Sequence, residues 1–205
     1  MGLIAVFGGT FNPFHIGHGQ ILDELVKLSE IEKVILMPTK IPPHKQVDYL
    51  ENAEHRFNMC GLIAENYANV EVCDLELRRL GKSYTIDTVN ELKRLYPDKR
   101  IAITIGADMV VTFDEWKSYR ELIANTVIIT FYRKNIPYDK YIKSIDRLRN
   151  CGATVIMLTE NITDISSTEI RKMLKNGEDV SEVLNSVICE YIKSNYLFGD
   201  CNAIS

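Results

Sequence analysis

Short runs of aliphatic residues alternate with amphipathic segments along the whole chain. The aliphatic runs are continuous rather than interleaved with polar residues, which is typical of strands that are covered on both faces, as in a parallel sheet. Six strands are predicted on this basis: Leu3–Phe7, Val34–Met37, Val70–Cys73, Ile101–Ile105, Val127–Phe131 and Thr154–Leu158. Glycine or proline follows several of these runs and marks the end of the strand.

The segments between the strands carry apolar residues at helical spacing. The predicted helical stripes are Ile21–Leu28, Phe57–Ile63, Ile86–Leu95, Tyr141–Leu148, Thr168–Leu174 and Val180–Ser194. Strands and helices in strict alternation predict an α/β fold with a Rossmann-like, doubly wound parallel sheet and right-handed crossovers. Ligands bind such sheets beyond the carboxyl ends of the strands, so candidate chemistry is sought directly after each strand.

Composition narrows the class of protein. A chain of 205 residues, 46% hydrophobic and 25% charged, suits a single domain over residues 1–205, with the C-terminal helices (about 166–197) packed against the sheet. The formal net charge of −4 argues against a protein that binds duplex nucleic acid, which needs a basic surface. It does not argue against a small anionic ligand, because a pocket can be locally basic.

The cysteines and the N-terminal sequence indicate where the protein works. The five cysteines form no CxxC or Cys/His metal spacing, so we interpret them as reduced thiols, with a redox or metal role as the alternative. Residues 1–9 lack the basic region of a signal sequence, and no stretch approaches the roughly 20 apolar residues that cross a bilayer. We expect a cytoplasmic protein without a membrane partner.

The loop after the first strand, residues 8–18, combines two glycines and two histidines. Gly8 and Gly9 allow unusual backbone conformations and a close approach to a ligand. The start of the following helix offers N–H groups and a partial positive charge, and His15 and His18 can lie on one face there. This arrangement favours phosphate binding. A metal pair is the alternative, disfavoured because no third ligand lies nearby in the sequence.

A second polar segment follows the sixth strand, at residues 165–171, Ile-Ser-Ser-Thr-Glu-Ile-Arg. Ser166, Ser167 and Thr168 are all good N-cap residues, and Glu169 follows in the first turn, as in a capping box. By itself the segment indicates either a well-capped helix or a triphosphate site, in which Arg171 would act as a charged clamp one turn into the helix.

Together these two segments resemble the nucleotidyltransferase superfamily that carries the HxGH motif. Residues 8–18, GGTFNPFHIGH, are similar to its GxFxPxHxGH signature, and residues 165–171 are similar to its ISSTxxR signature. The resemblance implies the Rossmann-like HxGH nucleotidyltransferase fold. The implied ATP-binding residues are Gly8, Gly9, Thr10, Phe11, His15, His18, Gly106, Asp108, Arg133, Ile165, Ser166, Ser167 and Arg171.

Three further segments resemble the bacterial NadD family of nicotinate mononucleotide adenylyltransferases, over nearly the whole chain. Residues 38–45 are similar to the family's PxxxPPHK, residues 83–88 to its SYTxDT, and residues 106–108 to its GxD, which precedes a tryptophan. The implied pyridine-nucleotide-binding residues are Asn12, His44, Lys45, Tyr84, Thr85 and Trp116. Two departures concern Asn12, where many relatives have Asp, and Arg133, which lacks the Pro-Gly that often follows it.

The resemblance implies transfer of the adenylyl group of ATP to nicotinate mononucleotide, giving deamido-NAD and pyrophosphate, in NAD biosynthesis. The implied catalytic residues are His15, His18, Lys45 and Arg171. Mg²⁺ is expected with ATP, held by the nucleotide and water, and no residue is assigned as a metal ligand. The alternatives are nicotinamide mononucleotide or phosphopantetheine as acceptor, a cytidylyltransferase, and a non-catalytic nucleotide-binding module. A homo-oligomer is a further possibility.

Overall fold

The computed structural model describes residues 2–40, 51–81, 83–159 and 162–199. Its strands form one parallel sheet of six in the order β3-β2-β1-β4-β5-β6. Their bounds are β1 Leu3–Gly9, β2 Ile31–Pro38, β3 Val70–Val72, β4 Arg100–Gly106, β5 Thr126–Phe131 and β6 Thr154–Met157. The doubly wound α/β prediction is confirmed, and the strand order reverses between β1 and β4.

The helices fill the connections that the sequence predicted, with differences at short elements. They are α1 Ile16–Lys27, α2 Ala53–Ala64, α3 Leu75–Arg78, α4 Thr85–Leu95, α5 Ala107–Val111, α6 Tyr119–Asn125, α7 Tyr138–Asn150, α8 Ser167–Asn176 and α9 Ser186–Ser194. The sequence did not predict α3, α5 or α6, which are too short to show a helical period. The last helix starts later than predicted because Asn185 caps it, its side chain accepting from Val187 N at 3.0 Å. Leu95, the last residue of the predicted stripe Ile86–Leu95, is 61% exposed at the end of α4.

The sheet is buried on both faces. In β1, the side chains of Leu3, Ala5 and Phe7 join a core formed with α1, α2, α8 and α9. Ile4 and Val6 join the core on the other side, formed with α4 to α7. None of these five residues is more than 6% exposed. Two covered faces are the reason that the strand sequences are apolar without alternation.

The C-terminal helices share the core of the first face. Ile170 and Leu174 of α8 and Ile188 of α9 are buried against the same cluster as α1, and the turn after α9 adds Phe198. The start of α8 is thereby brought to the loop after β1.

The described residues bear on the expectations about membrane spans and cysteines. No helix there is long and apolar enough to cross a membrane. Cys60, Cys73, Cys151 and Cys189 are free thiols in the structure, while Cys201 lies outside the described residues.

Candidate active site

The candidate site lies at the carboxyl edge of the sheet, where the strand order reverses. There β1 and β4 are direct neighbours, with Phe7 paired to Thr104, and both strands end in glycine. The connections that leave β1 and β4 run to opposite faces, which opens the crevice where doubly wound sheets bind ligands. The predicted site residues Gly9 and Gly106 are thus the last residues of two neighbouring strands.

The glycines after β1 act differently from the expectation. Gly8 and Gly9 are the last residues of β1, and neither has a positive φ, whereas Phe11 does, at 48°. A Cβ at Gly9 would lie 2.8 Å from the ring of Phe11, which is completely buried. The expectation of a positive φ at these glycines is therefore wrong, while their close approach to a ligand stays a prediction. Gly9 is required because the loop folds the Phe11 ring back over it.

His15 and His18 form the start of α1. His15 is the N-cap residue and is 3% exposed, and its ring stacks on that of His18 with centroids 3.6 Å apart. The His15 backbone N–H donates to Nδ1 of His18 at 3.2 Å. A ring nitrogen that accepts carries no proton, so neutral His18 has its proton on Nε2. The donor nitrogen of a neutral His18 ring is therefore Nε2.

Gly17, between the two histidines, permits a close contact with the segment before α8. A Cβ at Gly17 would lie 3.1 Å from the carbonyl oxygen of Thr163 and 3.3 Å from the His15 ring. Thr163 is bound to α1 by its own N–H, which donates to Oε1 of Gln20 at 2.7 Å. The glycine of the HIGH sequence is therefore explained by packing between the two motifs.

The electrostatic state of His15 also differs from a simple phosphate-binding histidine. Burial, and then the positive charge of Arg133, lower the pKa of His15 to about 3. The ring is thus neutral at pH 7. The buried His15 side chain faces the His18 backbone N–H in a capping box at the start of α1, which also suits a neutral ring.

This neutral histidine predicts a pH-dependent stability. The pKa of His15 is about 3 in the folded protein and about 6.5 in an unfolded chain. Between these two pH values the unfolded state binds more protons than the folded state. The contribution of His15 to stability is therefore complete above about pH 6.5 and is lost as the pH falls towards about 3. We expect the urea-unfolding free energy of the wild type to fall by up to about 1.4 kcal/mol per pH unit more steeply than that of His15→Asn. Parallel pH profiles would contradict a neutral His15.

The start of α8 has the predicted cap. Oγ of Ser166 accepts from Glu169 N at 3.2 Å, and Oε2 of Glu169 accepts from Ser166 N at 2.8 Å. This capping box is confirmed, and it leaves the first turn of α8 well ordered for an anion.

Two hydrogen bonds join α8 to the loop after β1. Ser167 Oγ donates to the carbonyl oxygen of Pro13 at 3.0 Å, and Nη1 of Arg171 donates to that of Asn12 at 2.9 Å. Nη2 of Arg171 donates to Oγ1 of Thr168 at 3.1 Å. The two sequence motifs, about 150 residues apart in the chain, therefore form one surface.

The predicted adenosine-side residues lie at the same edge of the sheet. The Arg133 guanidinium lies 5.2 Å from the Phe131 ring centroid, and Asp108 and Asp164 interact with its charge. Burial lowers the pKa of Arg133, and the two carboxylates oppose that shift. A Cβ at Gly106 would lie 2.8 Å from Oδ1 of Asp108, so glycine lets this carboxylate turn back over the end of β4.

The segment after Arg133 is shaped without a Pro-Gly sequence. Tyr132 OH donates to the carbonyl oxygen of Ile136 at 2.9 Å, and Ile136 N donates to that of Arg133 at 3.4 Å. These two hydrogen bonds form the turn after Arg133 in a chain that lacks the Pro-Gly sequence.

The predicted pyridine-side residues meet through Lys117. Tyr84 is the N-cap residue of α4, and Thr85 is the first residue of that helix. Lys117 Nζ lies 4.5 Å from the Tyr84 ring centroid and 3.4 Å from the Asp87 carboxylate. Trp116, next in sequence, stacks on Phe113 with centroids 5.0 Å apart. The structure thus brings Tyr84, Thr85 and Trp116 to one side of the cleft, and it adds a cation that sequence reasoning missed.

The remaining residues predicted to contact the pyridine nucleotide are Asn12, His44 and Lys45. Asn12 is 1% exposed, and its Oδ1 accepts from Glu51 N at 3.2 Å, so it acts in holding the loop, and contact with a ligand stays a prediction. His44 and Lys45 lie outside the described residues, and their roles stay predictions as well.

Sequence reasoning also gave Arg56 no role, although it is buried in α2 at 1% exposure. The available signal was a charged residue next to the apolar stripe of that helix. The neighbouring His55 is half-buried, and its Nδ1 lies 3.0 Å from the hydroxyl of Tyr191.

Comparison with protein families places the chain among nucleotidyltransferases. The cytidylyltransferase-like family model matches residues 6–173. A protein of Fusobacterium nucleatum named "Probable nicotinate-nucleotide adenylyltransferase" is 37% identical over 195 residues, covering 95% of this chain and 98% of that protein. A protein of the same name from Shouchella clausii is 33% identical over 204 residues, covering 97% and 98%.

Solved structures agree with the fold. The nicotinic acid mononucleotide adenylyltransferase of Plasmodium falciparum, complexed with NaAD, matches with a TM-score of 0.80 and covers 98% of this chain and 99% of that one. Its complex with APC matches with a TM-score of 0.79. Both are 22% identical in sequence to this chain, so they support the architecture rather than individual residues.

Proposed function

The chain belongs to the nicotinate-nucleotide adenylyltransferases of the cytidylyltransferase-like family, and from this premise we propose how its site performs the reaction. The substrates are ATP and nicotinate mononucleotide, and the products are deamido-NAD and pyrophosphate. The observation that carries the proposal is the junction of the two motifs, in which Arg171 and Ser167 of α8 bind the loop that leads to His15 and His18.

The acceptor phosphate is itself the nucleophile. One of its oxygens attacks the α-phosphorus of ATP in line, a new P–O bond forms, and the bond to the β-phosphate oxygen breaks to release pyrophosphate. The protein then has to align two nucleotides and neutralise charge at the phosphorus, without an activated side-chain nucleophile. The candidate site offers donors rather than bases, which suits this chemistry.

Each donor has a place in that scheme. Nε2–H of His18 donates to the α-phosphate oxygen as negative charge builds there, because Nδ1 is engaged with the His15 backbone. The first turn of α8 and Arg171 hold the outer phosphates through N–H groups and the guanidinium. His15, kept neutral by burial, donates one further hydrogen bond to the polyphosphate. His44 and Lys45 are proposed to add positive charge from the segment after β2.

Mg²⁺ is proposed to enter with ATP. The described ranges contain no group of three or more His, Cys, Asp or Glu side chains that could hold a metal ion. Mg²⁺ carried by ATP would need no such group, and it would supply charge neutralisation on the polyphosphate. The donors of the chain fit this arrangement because they bind the phosphates rather than the metal.

A pyrophosphate-release assay tests the function and its competitors together. The name of the family model gives cytidylyl transfer as the second candidate, so ATP and CTP are each assayed with nicotinate mononucleotide, nicotinamide mononucleotide and phosphopantetheine. Release with ATP and nicotinate mononucleotide at the highest kcat/KM is expected. Faster turnover with CTP, or no turnover with any pair, would contradict the proposal. The latter result would favour a non-catalytic nucleotide-binding module.

The preference for the acid over the amide is expected to depend on Lys117. Its Nζ neutralises Asp87 beside the start of α4, where Thr85 is proposed to meet the nicotinate carboxylate. Lys117→Met would leave the Asp87 charge facing that carboxylate, and we expect the nicotinate-to-nicotinamide ratio of kcat/KM to fall about tenfold, or about 1.4 kcal/mol.

The matched control for this variant is Lys93→Met. Lys93 lies on α4, at the opposite end of the helix from Asp87, and its Nζ donates to Oδ1 of Asn125 at 2.7 Å. Lys93→Met removes the same charge at a distance from Asp87, so its nicotinate-to-nicotinamide ratio of kcat/KM should equal that of the wild type. An unchanged ratio in Lys117→Met would show that this cation does not read the substrate.

Cytoplasmic location, a single domain over residues 1–205 and a homo-oligomer stay predictions. Gel filtration with light scattering would measure the last of these directly.

A further inference from the structure

Arg56 is a buried cation whose hydrogen bonds all go to backbone carbonyl oxygens. It is 1% exposed on the core side of α2. Nη1 donates to the carbonyls of Thr10 at 2.8 Å and Thr39 at 2.6 Å, and Nε donates to that of Glu51 at 3.2 Å. No carboxylate of the described residues forms an ion pair with it.

A buried charge of this kind is a poor way to gain stability. Removing a guanidinium from water costs several kcal/mol, and apolar replacements of buried charges are often neutral or stabilising. Burial also lowers the pKa of Arg56, which reflects the same desolvation cost. An arginine at this place therefore points to a role that depends on where its donors are directed.

The three carbonyls mark the point where two functional segments separate. The pairing of β1 and β2 extends one step beyond the strands, since Thr39 N donates to the carbonyl of Gly9 at 2.9 Å. The next carbonyls, those of Thr10 and Thr39, are bridged by the single Nη1 group of Arg56. From Thr10 the chain continues to His15, whereas Thr39 directly follows β2 and Glu51 lies two residues before α2.

Glu51 strengthens the connection between the two segments. Its carbonyl accepts from Arg56, while its N–H donates to Oδ1 of Asn12 at 3.2 Å. Asn12 in turn accepts from Arg171 through its carbonyl. The contacts therefore form a continuous path from Arg56 through Glu51 and Asn12 to the clamp on α8.

We infer that Arg56 is a positioning residue, which sets the loop that binds ATP relative to the end of β2 on the pyridine-nucleotide side. This inference rests on the proposed function, because it assigns one substrate to each segment. Each segment can bind its own nucleotide without Arg56. Their mutual alignment, which in-line attack requires, depends on the three-carbonyl bridge. A misplacement of about 1 Å between reacting groups can cost 100-fold in rate.

The test compares Arg56→Lys and Arg56→Gln with the wild-type protein. Lysine keeps the charge but cannot present the planar fork that reaches three carbonyls. We expect kcat to fall at least tenfold in both variants, less in Arg56→Lys, while KM for each nucleotide changes less than threefold. The matched controls are Arg149→Lys and Arg149→Gln, which remove an arginine bond to the carbonyl of Val155 (3.3 Å) at the opposite edge of the sheet. The controls should keep the wild-type kcat.

A purely structural role gives a different result. Calorimetric titration with a non-hydrolysable ATP analogue counts the binding-competent molecules, and stoichiometry near one with wild-type Kd is expected for both Arg56 variants. A stoichiometry that falls in proportion to kcat would mean partial unfolding and would overturn the inference, as would an unchanged kcat. If the wild type itself turns over no nucleotide pair, the proposed function fails and this inference fails with it. Turnover by the wild type with unchanged variants overturns the inference alone.

Discussion

Replacement of His18 by alanine is expected to lower kcat by about 100- to 1000-fold while the protein stays folded. The ring is placed to donate from Nε2, because its Nδ1 accepts the His15 backbone N–H at 3.2 Å. Removing a donor that meets charge only in the transition state lowers kcat more than it raises KM. Pyrophosphate release under saturating substrates measures the effect.

Two amide variants distinguish the roles of the two ring nitrogens of His18. His18→Asn keeps an acceptor near Nδ1 and loses the distal donor, whereas His18→Gln can place an N–H near Nε2. We expect His18→Asn to be as inactive as His18→Ala, and His18→Gln to recover part of the rate. Circular dichroism and melting temperature verify the fold. Near-normal turnover by His18→Asn would remove the assigned role from Nε2.

The second large effect is expected at Arg171. Arg171→Ala removes the bond to the Asn12 carbonyl (2.9 Å) and the bond to Thr168 (3.1 Å), together with a charge beside the proposed triphosphate. Charge-assisted bonds to phosphate are about twice as strong as neutral ones, and we expect kcat/KM for ATP to fall about 100-fold, which corresponds to about 2.8 kcal/mol. Steady-state kinetics at varied ATP provide the measurement.

The neighbouring residue supplies the control for Arg171. Lys172 is exposed on the same helix, so Lys172→Ala removes an equal charge without touching the loop after β1. Its kcat/KM should stay within about twofold of wild type, as expected where an exposed charge is largely screened. Arg171→Lys should recover only part of the activity, since an ammonium cannot reproduce the two directed bonds. Equal losses in Arg171→Ala and Lys172→Ala would show that general charge, rather than the clamp, matters.

Much of the architecture could be predicted from local sequence. The continuous apolar runs predicted the six strands, because a strand covered on both faces has no polar side. The capping box of Ser166 and Glu169 was also predictable, since both residues act within one turn. Helices α3, α5 and α6 were missed because four to seven residues carry too little periodicity to stand out from the chain around them.

The site was predicted as two separate motifs and only partly as a geometry. The sequence placed His15, His18 and Arg171 as candidates, on the strength of residue type and spacing. It could not show that Gly9 is required by the Phe11 ring, or Gly17 by the Thr163 carbonyl, because those neighbours are set by how the loop and α8 pack. Lys117 and Arg56 were missed for the same reason, since both make their contacts with residues distant in the chain.

The sequence by itself therefore determined the order of the six strands and the longer helices, the cap of α8 and the chemical groups present, all of which depend on residues close together in the chain. Tertiary structure alone decided which groups meet and in what charge state. The protonation of His15 is the clearest case: burial by distant segments, and the Arg133 charge, lower its pKa to about 3. Desolvation and Coulomb interactions depend on distances in space, and these exist only once the sheet and both layers of helices have assembled.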